Sequence, residues 1–182
     1  MILWHVAGAL FLFRWVFRDP SVDVRFLVAG ALIPDLVDLA IGTVLAPQLG
    51  SGQLWLHTLV APSLVVIVVL VATRRGARRR AWMALTVGMF FHLLLDGMWT
   101  STEVFLWPLF GFDFPAGATP YWPAAWERAL DDPWRWVKEA VGLIYLIGLW
   151  KTSGLSDPGA RTALMRTGRL PGPPPSASPL LP

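Results

Sequence analysis

Long apolar runs broken by single ionisable residues set the pattern of this chain. Positions 2–17 are apolar except for His5 and close on Arg14, Arg18 and the Asp19-Pro20 break. Positions 22–46 are apolar but interrupted by Gly30, Pro34, Asp35, Asp38 and Gly42, and Pro34 predicts a kink there. Positions 54–73 form the cleanest span, polar only at His57, Thr58 and Ser63. Positions 81–100 hold little that is polar besides His92, Asp96 and threonine, and 134–150 form a last apolar stretch. Runs of this length and apolarity predict membrane helices.

Composition sharpens that reading. The 182 residues are 55% hydrophobic and 15% charged, with a mean hydropathy of +0.55. A soluble domain of this size carries roughly 25% charged residues. The expected architecture is therefore an all-α integral membrane protein, a compact bundle of four to five transmembrane or membrane-embedded helices. One membrane domain spans 1–151, with the candidate site drawn from 1–100, an aromatic loop at 101–133 and the last helix at 134–150. Residues 152–182, rich in Pro, Gly and Ser, read as a disordered tail. The first apolar run has no basic leader and no small-residue cleavage site, and reads as a retained helix. Cysteine is absent, which excludes thiolate chemistry and disulfides.

The net charge of +3 does not point to nucleic acid. Arginines flank the apolar runs, and the cluster Arg74 to Arg80 marks a short loop between two of them. Under the positive-inside rule the segments 14–25, 74–80 and 151–169 lie on the cytoplasmic side, so the C-terminal tail is cytoplasmic. The loops 47–53 and 101–133 then face outward, and the tryptophans and prolines of the second suit a segment at the membrane interface. A bacterial cytoplasmic (inner) membrane is the expected location, with the lipid bilayer the evident partner. Oligomeric state is not legible.

All three histidines fall inside apolar runs. His92 and Asp96, at i and i+4, share one helical face. Asp35 and Asp38, at i and i+3, also share a face, where two carboxylates repel unless a cation or a proton lies between them. Counted from the arginine ends at ~1.5 Å per residue, His5, Asp35, Asp38, His92 and Asp96 lie roughly 14–24 Å up, and His57 enters from the opposite end. Six ionisable groups at compatible depth are a candidate centre, since intramembrane charge is costly without a partner or a function. Imidazole and carboxylate without thiolate suit Zn²⁺, with Mn²⁺ or Fe²⁺ as alternatives.

The residues alone leave other readings open. Asp35 can cap a half-helix after Pro34, and Asp96 can simply bond to His92 or Thr100. The cluster can equally serve an ion, proton or metal transporter, or act as helix glue in a non-catalytic scaffold.

His5 with Gly8, the run Gly30-Ala31-Leu32-Ile33-Pro34-Asp35 with a second aspartate, His57-Thr58-Leu59, and His92-Leu93-Leu94-Leu95-Asp96 occur in that order. In this the chain resembles the YdjM-like family of predicted membrane-bound metal-dependent hydrolases, itself distantly similar to the zinc-dependent phospholipase C and P1 nuclease group. The resemblance covers about 1–115. The second aspartate stands three residues after the first rather than two, and Gly52-Gln53 replaces a His-Arg pair often found there. The resemblance implies His5, Asp35, His57, His92 and Asp96 as metal ligands and a phosphoester or lipid-type substrate; Asp38, off the family spacing, completes the expected ligand set. Asp38 is the preferred catalytic base, taking a proton from the attacking water.

Overall fold

A computed structural model describes residues 1–115, 117 and 121–171. Among the described residues every regular element is helical. The helices are α1 (Ile2–Val16), α2 (Val24–Ala40), α3 (Val60–Ala72), α4 (Ala77–Leu95), α5 (Thr102–Phe105), α6 (Tyr121–Asp131), α7 (Pro133–Thr152) and α8 (Pro158–Thr167).

Local chemistry explains where several of them begin and end. Asp23, Asp132 and Asp157 each cap a helix, their carboxylates accepting the amides of Arg25, Trp134 and Ala160. Proline follows the cap at the start of α7 and α8, where its missing N–H is not needed. Gly97, at φ 66°, turns the chain left-handed directly after Asp96 and so ends α4 at the candidate site.

The centre of the fold is the crossing of α2 and α4. A side chain at Gly30 would strike the carbonyl of Leu85, and one at Gly88 would strike the carbonyl of Leu27. Each glycine therefore admits the backbone of the opposite helix, the small-residue packing typical of membrane helices. Leu27, Ala31 and Ala84 fill the space beside this crossing, and Ala9, Leu10 and Phe13 from α1 and Leu149 from α7 complete the core. On the far side of α1, Gly142 of α7 lies against the backbone of Leu3 and Trp4, at 2.7–2.8 Å from where its side chain would begin.

Several sequence expectations change. Among the described residues one helical stretch, Val24–Leu45, is long and apolar enough to cross a bilayer; Ile2–Val16 and Val60–Ala72 are apolar but shorter. The helix of this stretch continues through Pro34 and loosens into a wider π-helical turn at Ile41–Leu45. The span expected over 54–73 starts instead with a tight turn, Trp55–His57, and its α-helix begins at Val60. His57 thus sits outside the helix, because the amides there bond to a buried carboxylate rather than to each other. The loop expected over 101–133 contains α5 and α6, and α6 sets Trp122, Trp126 and Leu130 on one exposed stripe at four-residue spacing.

The tail reading is corrected over 158–167, which is α8. Composition suggested disorder, but the Asp157-Pro158 start and the Gly168 stop (φ 70°) delimit a helix. The segment also docks: the Val24 amide donates to the Gly168 carbonyl at 2.7 Å, and Arg25 donates to the Met165 carbonyl at 2.6 Å. Residues 172–182 lie outside the described residues. The arginine cluster has a local role beside its topological one. Arg79 donates to the carbonyls of Leu70 (2.9 Å) and Thr73, covering the open C-terminal end of α3.

The crossing makes a direct prediction. Gly88→Ala should destabilise the protein by about 1–3 kcal/mol, since the added carbon meets backbone that cannot rotate away. Gly148→Ala, which meets open space on α7, should be neutral or stabilising by up to about 1 kcal/mol. Thermal unfolding in detergent, followed by tryptophan fluorescence, compares the two. Equal midpoints would mean the two helices do not meet as described.

Candidate metal centre

α2 supplies Asp35 and Asp38, the turn before α3 supplies His57, α4 supplies His92 with Asp96 at its end, and α1 supplies His5. His5, Asp38, His57 and His92 are fully buried, whereas the side chains of Asp96 and Asp35 keep 10% and 34% of their surface exposed. The cluster therefore opens to its surroundings at Asp35.

Asp38 organises one wall. One of its oxygens accepts the amides of Leu54 (2.8 Å), Leu56 (3.0 Å) and His57 (3.1 Å), and the same oxygen accepts from His57 Nδ1 at 2.7 Å. The carboxylate thus replaces the helical partners of a stretch that has turned out of helix, which is how irregular backbone survives in apolar surroundings. It also fixes the His57 ring with Nε2 facing inward.

His92 is held in the same manner by a different acceptor. Its Nδ1 donates to the Ala31 carbonyl at 2.7 Å, across the α2–α4 crossing. A carbonyl can only accept, so Nδ1 carries a proton, and in the neutral ring the lone pair is on Nε2. Both Nε2 atoms are then acceptors, yet they stand 3.2 Å apart. Around them lie Asp35 Oδ1, at 3.5 Å from His57 and 3.6 Å from His92, and Asp96 Oδ2, at 3.6 and 3.4 Å. Four electron-rich atoms, all within 4.8 Å of one another, face a common point and could hold a metal ion. With neither a metal ion nor a proton shared among them this arrangement is repulsive.

His5 approaches from the other side of the carboxylates. Its ring stacks on His92 at 4.2 Å between centroids. Its Nδ1 donates to the Met1 carbonyl at 2.5 Å. Its Nε2 comes within 2.9 Å of Asp96 Oδ1 but off the line a hydrogen bond requires, so this buried nitrogen has no hydrogen-bond partner. Asp35 Oδ2 is 4.0 Å from His5 Nδ1. Each of the two carboxylates thus turns one oxygen to the two imidazoles and the other toward His5.

All six residues singled out in the sequence meet in one place, in two kinds of position. Asp35, His57, His92 and Asp96 form the four-donor group; Asp38 and His5 flank it. Two contributors carried no chemical signal of their own. The Ala31 carbonyl is a backbone group, and Gly88 is recognisable only as a small residue one turn before His92.

The family model described as YdjM inner membrane protein matches residues 1–156. No curated protein and no solved structure matches the chain. With the match extending well past the candidate centre to the end of α7, this chain belongs to the YdjM inner membrane protein family.

Proposed function

We propose that this protein is a membrane-bound metal-dependent hydrolase acting on a phosphoester of lipid type. The observation that carries the reading is the convergence of two imidazoles through Nε2, each with its Nδ1 proton already committed, on the same point as two carboxylate oxygens. Five of the six distances among the four donors fall between 3.2 and 3.6 Å. The centre of a tetrahedron with such edges is about 2.1 Å from each corner, the usual Zn–N and Zn–O bond length. His57, His92, Asp35 and Asp96 would hold the ion, and zinc is the best fit.

A divalent ion bound there supplies Lewis acidity and, near neutral pH, the means to make water a nucleophile. The chain's own residues do the rest. Asp38 acts as a positioning residue for His57, the carboxylate–histidine arrangement that tunes metal ligands. This replaces the base and ligand roles expected for Asp38, whose Oδ2 already accepts from three amides and an imidazole. Asp35 Oδ2, which faces away from the two imidazoles and lies 3.6 Å from the Met1 ammonium, takes the proton released by the attacking water. His5 braces Asp96 through its stack on His92 and its close approach to Oδ1. Membrane residence and an almost wholly apolar frame favour an amphiphilic substrate over a soluble one.

Two measurements test this. Elemental analysis of detergent-purified protein after mild chelator washing should find near-stoichiometric zinc in the wild type and none in a His92→Ala, Asp96→Ala double variant. Negligible metal in both, before and after reloading, would end the proposal. Asp38→Asn should leave the protein folded but weaken metal affinity by about 10–100-fold, read by competition with a fluorescent zinc chelator. If Asp38→Asn binds metal as tightly as wild type, Asp38 has no hold on the centre through His57.

A further inference from the structure

An apolar groove of about 400 Å³ runs between α1, the end of α4 and α7. Trp4, Gly8, Leu12, Leu95, Gly142 and Tyr145 are among its lining residues, and its walls expose carbon only. The one polar group that could face it near the centre, the Trp4 indole N–H, is turned to the Leu95 carbonyl at 3.3 Å.

The groove begins where the candidate centre ends. Trp4 precedes His5 and Leu95 precedes Asp96 in the chain, so the same two turns form the wall between them. Gly8 and Leu12 continue the stripe of Trp4 along α1 by one and two turns. From Trp4 to Leu12 the groove follows the helix for about 12 Å. At two lining positions, both glycine, its walls close in: a side chain at Gly8 would start 2.7 Å from the Leu95 methyls, and one at Gly142 would run into the Leu3 carbonyl. On α7, Arg135 and Glu139 stand two turns and one turn before Gly142, at the end nearer the centre. The Arg135 Nε–H and the Glu139 Oε1 are both buried there without a hydrogen-bond partner.

We propose that this groove holds the hydrocarbon chain of the substrate, with its phosphoester at the four-donor centre and Arg135 offering a donor to the anionic head. The inference rests on the hydrolase reading for the head and on the groove itself for the chain. Generic bilayer lipid would cover any apolar face. What singles this one out is that its Trp4 and Leu95 wall stands one residue from His5 and Asp96, and that α7, which forms its other side, carries a buried cationic donor.

The test uses the full-length, zinc-loaded protein in detergent and a long-chain alkyl phosphate carrying a photoreactive diazirine near the chain end. Crosslinked residues are mapped by mass spectrometry. Labelling should fall on Phe11, Leu12 and Tyr145, compete with unlabelled alkyl phosphate, and persist against an alcohol of equal length. Val141→Trp, at an exposed groove position, should reduce it at least ~10-fold, as expected when contact with about two methylenes is lost. Val71→Trp on α3, at a still more exposed position, should not. Leu12→Trp serves as a second groove block should Val141→Trp fail to fold. Labelling spread over α3 and α7 alike, insensitive to the groove variants or displaced as well by the alcohol, overturns the proposal. Zinc content, measured on the same samples, separates the two readings: a loaded centre without groove labelling removes only the chain site. Groove labelling on a protein that never holds metal removes the hydrolase reading and leaves a lipid site.

Discussion

The contact between α2 and α4 at Gly30 and Gly88 is the constraint on which the centre depends. Only with no side chain at either position can the two backbones come close enough for His92, on one helix, to donate to the Ala31 carbonyl of the other. That bond sets the tautomer and ring angle of His92. It also fixes how far the Asp35 end of α2 stands from the Asp96 end of α4. A wider crossing would leave the carboxylates out of reach of a shared ion and an imidazole without its acceptor, in surroundings where neither is tolerated cheaply.

A second buried bond solves a different problem. His57 must reach the same point from a third element, yet a regular helix through 54–73 would place it according to helical pitch alone. The chain instead turns tightly before α3, and Asp38 takes up the amides this frees. The same carboxylate holds the imidazole. One buried charge thus does the work of a helix cap and of a ligand support, which explains why an aspartate with no exposure is found three residues after the more open Asp35. The two carboxylates, alike in sequence, are separated in role by their surroundings: one is fully buried and saturated by donors, while the other stays a third exposed and faces the two imidazoles with one oxygen.

The periphery is organised around α1, which lies between the centre and α7. Its one face gives His5, and its adjoining face gives the groove. Gly142 lets α7 approach the first turn of α1, while the Glu139 carboxylate accepts the Leu3 amide at 3.0 Å, meeting one of the N–H groups a helix start leaves open. At the other end, α8 returns to the start of α2 through Gly168 and Arg25. Asp23, bonded to Arg25 by its side chain, is held below the usual carboxylate range, so it stays an acceptor for the helix start it caps.

Much of this was legible before any coordinates. Helical class follows from long apolar runs, and all six centre residues stand out because an ionisable group in such a run needs a reason to be there. The i, i+4 spacing of His92 and Asp96 and the i, i+3 spacing of Asp35 and Asp38 placed each pair on a face. Sequence could not divide the six into donors and supports, because that depends on which acceptor each imidazole Nδ1 finds, and one of those acceptors is a backbone carbonyl 61 residues away. It could not see that His57 lies outside the helix, since amide bonding to Asp38 leaves no trace in hydropathy. Composition also hid α8, whose helix is defined by caps and docking contacts rather than by apolar content. Local pattern determined which residues matter; the close crossing of two helices, a long-range packing condition, decided what each of them does.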